Sequence, residues 1–523
     1  MKKKLLISAG IPAVAAAFML TGCFGGSAAD TKEPVTSTSE ESTQASETAT
    51  DKSERSNVNT VEGSTIDAAN MFTDRDLKSD YDTSSAVNIT LNGTSASSEG
   101  DGVSIDGNTI TISKEGTYIL TGTLDNGTVK VEGADTDKIQ IVLNNAVINS
   151  DTYAGIYVKN ADKVFITTAE GTKNTVSNGG TYTQTDDSNV DGAIFGKDTI
   201  TFNGKGTLNV TSKSGHGIVS KDSVKITDGG LNVESADTAI QGKDSVRIAG
   251  GDITIKAGGD GIHSENEEDT SLGFVYIKEG NINIDAYDDA IHAEPEILIT
   301  GGNIDVTNCF EGYEANDVNI AGGTTNITAS DDAVNAMNAL RISDGKTSLD
   351  SAGDALDSNG DIIISGGETY ASGATNDGNS VLDYDGNAKI TGGVLVATGM
   401  SGMTQNMGNE SSQGSILLTV DNQPADSTVE IKDEQGNVIA SYTPPKAYNS
   451  VVISAPEITK GNTYTVTAGD TSTEVTMTDI IYGEGMHGFM MPGGSSGQKP
   501  GGHMESPDFK DDPRSINDES KKI

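Results

Sequence analysis

One apolar position returns nine times between Ile194 and Leu382, and nothing else in the sequence restricts the fold so tightly. The position is held by Ile194, Ile218, Ile240, Ile262, Ile291, Tyr313, Val334, Leu356 and Leu382, at intervals of 24, 22, 22, 29, 22, 21, 22 and 26. A second series, Gly229, Gly251, Gly280, Gly302, Gly323, Gly345, Gly367 and Gly393, is spaced 22, 29, 22, 21, 22, 22 and 26. Two positions of different chemistry share their insertions, so each interval is one structural unit. A unit reads as three short alternating strands joined by turns, for example Ser245-Val246-Arg247-Ile248, Asp252-Ile253-Thr254-Ile255 and the marker strand at Ile262. Such a unit cannot bury its apolar face alone, whereas copies stacked as successive coils share one core. The fold class expected is all-β, a parallel β-helix, right-handed by the rule for parallel crossovers. Stacking predicts one inward column of Ile226, Ile248, Ile277, Ile299, Ile320, Ile342, Ile364 and Ile390.

Outside the repeat the chain changes character. Residues 1–23 carry Met1-Lys2-Lys3-Lys4, an apolar run to Leu20 and the lipobox-like Leu20-Thr21-Gly22-Cys23, which reads as a secretory signal with Cys23 as the lipidated residue. That places the mature protein on the extracellular face of the cell membrane, held by its lipid alone. With Cys23 used, Cys309 is the only other thiol, and no internal disulfide forms. Residues 24–62 are Ser, Thr and acidic residues with little to bury, a disordered tether. Residues 63–400 are expected to form the β-helix, with strand alternation starting near Val87. Residues 415–480 read as a small antiparallel β unit capping its open end, and 481–523 as a disordered tail. The balance of 34 basic against 77 acidic residues excludes nucleic acid as a partner. The expectation is a monomer.

The N-terminal phrases Thr111-Ile112-Ser113-Lys114-Glu115-Gly116-Thr117-Tyr118-Ile119-Leu120-Thr121-Gly122-Thr123-Leu124, Leu143-Asn144-Asn145-Ala146-Val147-Ile148 and Ala169-Glu170-Gly171-Thr172-Lys173-Asn174 resemble those of the carbohydrate-binding β-helix lipoproteins of Gram-positive bacteria. The likeness runs from about Phe72 to Thr478. It implies a polysaccharide partner, cellulose or an acidic plant or cell-wall glycan, with calcium at acidic turns on an architecture similar to one group of pectate lyases.

The residues point to calcium by their own chemistry. Asp260, Asp289, Glu311, Asp332 and Asp354 stand two places before the marker, and His263, His292, Glu314, Asn335, Asp357 and Asp383 one place after it. Asp288 and Asp331 extend the first column, and Glu294 lies three places after its marker. Coils rise about 4.8 Å, and like charges at that spacing repel by about 1 kcal/mol even in water. Oxygens on opposite sides of a calcium ion lie about 4.6–5.2 Å apart, one coil step. The competing reading is a solvated acidic turn in which Asp serves local geometry. His263 and His292 suit a sugar or a carboxylate better than calcium, and Tyr287, Tyr313 and Tyr384 are candidate stacking faces for a sugar ring. A lyase would need a Lys or Arg base beside the calcium. Lys197, Lys221 and Lys243 fall in coils before the acidic ladder, so binding is favoured over polysaccharide cleavage, with a structural surface rod as a third reading.

Overall fold

The computed structural model describes residues 61–483 and 485. The expected signal segment with Cys23, the expected tether to residue 60 and the expected tail beyond residue 485 lie outside the described residues. The chain is all-β and winds into a parallel β-helix of about 13 turns. Three sheets run along the axis. The first holds the marker strands, including His216–Ser220, Ile240–Gly242, Ile262–Ser264, Leu356–Ser358 and Leu382–Tyr384. The second holds Ser223–Ile226, Ser245–Ile248, Phe274–Ile277 and Asp361–Ile364. The third holds Thr207–Ser212, Gly230–Ser235, Asp252–Ala257, Asn281–Ala286 and Glu368–Ser372.

The expected column is realised link by link. Ile226 pairs with Ile248, then Ile277, Ile299, Ile320, Ile342, Ile364 and Ile390 in unbroken parallel register. All eight are buried, and each contributes roughly 1.5–3 kcal/mol by leaving water. The glycine series has a separate cause. Gly323 sits at φ +80°, and a Cβ there would lie 2.6 Å from the Gly302 carbonyl oxygen in the coil below. Only glycine permits both the left-handed turn and that approach.

The first coil starts at Val87. Residues 61–86 make no coil, although 63–86 fall in the span expected to be helix and 61–62 in the expected tether; they form a strap along the outside of the second sheet. Its order opposes that of the coils: Thr65 donates from N and Oγ1 to Glu296 Oε2 at 2.9 and 2.8 Å, and the Met71 carbonyl accepts from Arg247 at 3.2 Å. Asp76 then bridges Lys163 at 2.8 Å and Lys225 at 2.9 Å. Ile66 packs with Phe274, Tyr276 and Leu298. At the other end, Tyr448–Ser454 pairs antiparallel with Val394–Gly399 of the last coil and with Ser415–Gln423. A separate four-stranded sheet completes this unit with its own core. The edge of the last coil's third-sheet strand is thereby paired.

Substitutions at Ile299 and Asp76 test these contacts. Ile299→Ala should cost about 2–5 kcal/mol in thermal unfolding, the range for an aliphatic cavity in a packed core; an unchanged melting curve would contradict the inward column. Asp76 is fully buried. Burial would raise its carboxyl, but hydrogen bonds from Lys163 and Lys225 outweigh that and hold it far below the usual range. Burial also pulls the Lys225 ammonium down despite Asp76, so the pair persists through mutual compensation. A carboxylate with a depressed folded pKa stabilises fully above its unfolded value of about 4 and loses that contribution as pH falls below it. Asp76→Asn should therefore flatten the loss of melting temperature below about pH 4, and Asp76→Ala should cost about 3–5 kcal/mol by leaving two lysines uncompensated. Faster proteolysis between Thr65 and Lys78 is the accompanying readout.

Candidate functional site

Each coil passes from the third sheet to the first through a short turn, and these turns stack into an acidic ladder. Register places Asp260, Asp289, Glu311, Asp332 and Asp354 above one another, because marker residues pair directly from Ile262 through Ile291 and Tyr313 to Val334, and Asn335 pairs with Asp357 in the next coil. One oxygen of several of these carboxylates is used to stitch coils together. Asp260 Oδ1 accepts the Asp289 N–H at 3.2 Å, Asp289 Oδ1 the Glu311 N–H at 3.3 Å, and Asp332 Oδ1 the Asp354 N–H at 2.6 Å. Asp354 Oδ1 accepts the Ser380 N–H. Turn geometry thus accounts for one oxygen of each of these four aspartates and leaves the other for the neighbouring column.

In that column the two histidines stack, their rings 4.9 Å apart and inclined by 15°. His263 Nδ1 meets Asp260 Oδ2 at 2.8 Å; His292 Nδ1 meets Asp289 Oδ2 at 3.2 Å and Glu314 Oε2 at 2.8 Å. Farther along, Asn335 Nδ2 donates to Glu311 Oε2 at 3.0 Å. Three groups bring potential ligand atoms within 4.8 Å of one another: Asp260, Asp288 and Asp289; Asp289, His292 and Glu314; Asp354, Asp357 and Asp383. The first and third are all-carboxylate sets whose oxygen spacing suits a calcium ion. In the second, the imidazole already answers two carboxylates.

Electrostatics mark the ladder as short of positive charge. Burial, against the Asp354 N–H bond and with repulsion from the Asp354 and Asp331 carboxylates, pushes the Asp332 carboxyl up to about 8. Burial and Glu314 push Glu311 up to about 7. Burial, with Asp383 and Asp331 adding repulsion, pushes Asp354 up to about 6. Asp289 is raised mainly by burial, against the pull of His292. Burial alone would lower the His292 imidazole, but its bonds to Asp289 and Glu314 outweigh this and hold it well above the usual range.

The family of carbohydrate-binding domain-containing proteins matches residues 106–378, which take in most of the coils and the whole run of ladder residues from Asp260 to Asp357. The chain belongs to this family. A carbohydrate-binding domain-containing protein of Acetivibrio thermocellus is 34% identical over 137 residues, 26% of this chain and 48% of that protein. The chain thus spans about half the length of the curated relative it matches. A solved structure titled as the polysaccharide lyase-like protein from C. thermocellum, a gadolinium derivative, is 32% identical, with a TM-score of 0.43 over 44% of this chain and 93% of that one.

For this family member the structure redistributes the expected site residues. Tyr313 and Tyr384 are not stacking faces: Tyr313 is 0% exposed and fills an isoleucine position in the core, and Tyr384 is buried with its hydroxyl donating to the Asn406 carbonyl at 2.6 Å. Both occupy the strand phase that points inward, which the alternation of their own strands already required. Tyr287 is exposed. Asp331 is half-buried beside the ladder, and Glu294 joins none of the three groups. Two neighbours were missed. Phe310, half-exposed, stands in the column between Asp288 and Asp331, with Phe310 N–H on the Asp288 carbonyl and Asp331 N–H on the Phe310 carbonyl, both at 2.9 Å. Counting three places back from Tyr313 would have found it. Gln405 Nε2 reaches Asp383 Oδ1 at 3.0 Å from the loop after the repeat ends, where no periodicity signals it.

Asp332→Asn tests the charge deficit. The amide oxygen still accepts the Asp354 N–H, but the carboxyl with the raised folded value is gone. A carboxyl raised from its unfolded value near 4 destabilises only above that pH, increasingly until the folded value is passed. In chelator, the variant should match the parent near pH 4 and exceed it by roughly 1–3 kcal/mol at pH 8. Equal melting curves at pH 8 would show the ladder to be fully solvated.

Proposed function

We propose that this protein binds acidic polysaccharide at the outer acidic ladder, with calcium held by Asp260, Asp288 and Asp289 and by Asp354, Asp357 and Asp383, and without cleaving the chain. The observation that carries the reading is the pair of three-carboxylate sets, each within calcium's reach, on one continuous edge of a carbohydrate-binding family member. Calcium, when bound, would supply positive charge beside these carboxylates and leave coordination positions for uronate oxygens. The chain's own part is rigidity: the backbone bonds from coil to coil fix the carboxylates before any ligand arrives, which limits the ordering cost of binding. Tyr287 and Phe310 flank the first set and offer apolar faces to sugar rings.

Binding without cleavage rests on the placement of bases. Lys221 lies over the Phe195 ring, its Nζ 5.4 Å from the centroid, and Lys243 is paired with Glu268 at 2.6 Å, both in coils before the ladder. In the same reading Cys23 carries the lipid that holds a monomeric rod at the outer face of the membrane, and the polysaccharide is the external partner.

The test is one set of incubations. Purified protein is mixed with polygalacturonate with and without calcium, and retention is followed together with the ultraviolet absorbance of unsaturated products. Calcium-dependent retention with flat absorbance is expected. Calcium should also raise the melting temperature by mass action, about 2.7 kcal/mol at a hundredfold excess over the dissociation constant. Asp260→Ala with Asp354→Ala should remove most of both effects. Rising absorbance would establish a lyase, and calcium-independent melting with no retention would leave a structural rod.

A further inference from the structure

The core of the rod changes character towards its C-terminal end. On the third sheet one inward position is held by Leu208, Leu231, Ile253, Ile282 and Ile304 in successive coils, each paired directly with the next. The same register then carries Thr325, Thr347 and Thr369 before Leu395 restores the aliphatic column. Strand alternation holds the three threonines inward, and they are 0–1% exposed. The marker in the coil of Thr325 is Tyr313, whose side chain is also fully buried. Its phenol lies near enough to the Thr325 hydroxyl for that hydroxyl to act on its ionisation.

Four hydroxyls therefore gather inside an otherwise apolar core. Tyr313 Oη, Thr325 Oγ1, Thr347 Oγ1 and Thr369 Oγ1 are all buried and, among the described residues, none meets a partner at hydrogen-bond geometry. A hydroxyl taken out of water without a partner is costly. Valine has nearly the shape of threonine and an equal preference for strands, so neither packing nor propensity accounts for threonine in three successive coils. Coil spacing supplies the reason. Successive oxygens stand about 4.8 Å apart, too far for a direct bond of about 2.8 Å. A water molecule about 2.8 Å from both spans that gap at an angle of about 118°, close to the tetrahedral arrangement in which buried water is held. The side chains around this column are also smaller. Val334 follows Tyr313 as marker, and Ala371 follows Ile327 and Leu349 in the neighbouring inward column.

We propose that the core between Tyr313 and Thr369 is a binding site for a short file of water molecules, one bridging Thr325 to Thr347 with Tyr313 as its third partner, and one bridging Thr347 to Thr369. Neutral hydroxyls, each able to donate and to accept, suit water rather than a metal ion. The file ties three coils together by hydrogen bonds at the position where the coils from Leu208 to Ile304 use apolar contact alone. It lies inside the rod and is independent of what the acidic ladder binds.

The test is oxygen-17 relaxation dispersion of water on the whole chain, which counts internal waters held for longer than the protein takes to tumble. Thr347→Val removes the hydroxyl that both bridges share and keeps the shape of the side chain. The dispersion amplitude should fall by about two waters. Tyr313→Phe, which removes only the third partner of one bridge, should lower it by no more than one, and Thr347→Ser, which keeps the hydroxyl, should retain at least the parental amplitude. The melting temperature of Thr347→Val should fall with the amplitude, because each water loses a partner. An unchanged amplitude in Thr347→Val would overturn the proposal; a raised melting temperature would then accompany it, since valine would be relieving a hydroxyl that had no partner. Equal losses in Thr347→Ser and Thr347→Val would also overturn it, by tracing the effect to altered packing.

Discussion

Parallel backbone pairing between successive coils is the constraint from which everything else on this molecule descends. When each residue lies directly over its counterpart one coil away, chemistry at a position becomes chemistry along a line. Eight isoleucines become a continuous apolar column, and a glycine turn becomes a groove. A carboxylate that would be harmless alone becomes a charged file. The same geometry that makes the core cheap to specify makes the acidic edge expensive to hold without a counter-ion.

That asymmetry explains how the carboxylates are used. Oxygens that accept the backbone N–H of the next coil, as in Asp260, Asp289, Asp332 and Asp354, belong to the stacking itself. The remaining oxygens face a column that changes from histidine at His263 and His292 to Asn335 and then to Asp357 and Asp383. The histidine end holds an imidazole whose bonds to Asp289 and Glu314 strengthen its hold on a proton. The aspartate end brings together carboxylates alone, those of Asp354, Asp357 and Asp383, so the two ends differ in what they ask of a ligand.

The repeat was legible in the sequence because stacking imposes period on every position it touches: the marker, the glycines, the inward isoleucines and the ladder all followed from spacing. The orientation of Tyr313 and Tyr384 was also encoded, since strand phase turns the marker inward, yet their chemistry suggested a surface role that the phase forbids. Phe310 was hidden by type, an aromatic in an acid's place. Gln405 and the strap from Val61 to Ala86 lie outside the period, and their partners are fixed only by tertiary packing. Asp76 illustrates why: nothing local to it indicates that Lys163 and Lys225 will close over it.

The strap has a consequence for the order of assembly. Thr65 is made early in synthesis, but Glu296, which it meets, lies 231 residues later, and Asp76 must wait through 149 residues for Lys225. Coils can add to one another by local winding as they emerge, whereas the strap closes only after its most distant coil exists. Contacts of such sequence separation form late and slowly. Until then the second sheet presents Phe165, Phe274, Tyr276 and Lys225 uncovered, so the nascent rod passes through a stage in which its stickiest surface is open. The last event of folding is therefore performed by residues made before any coil.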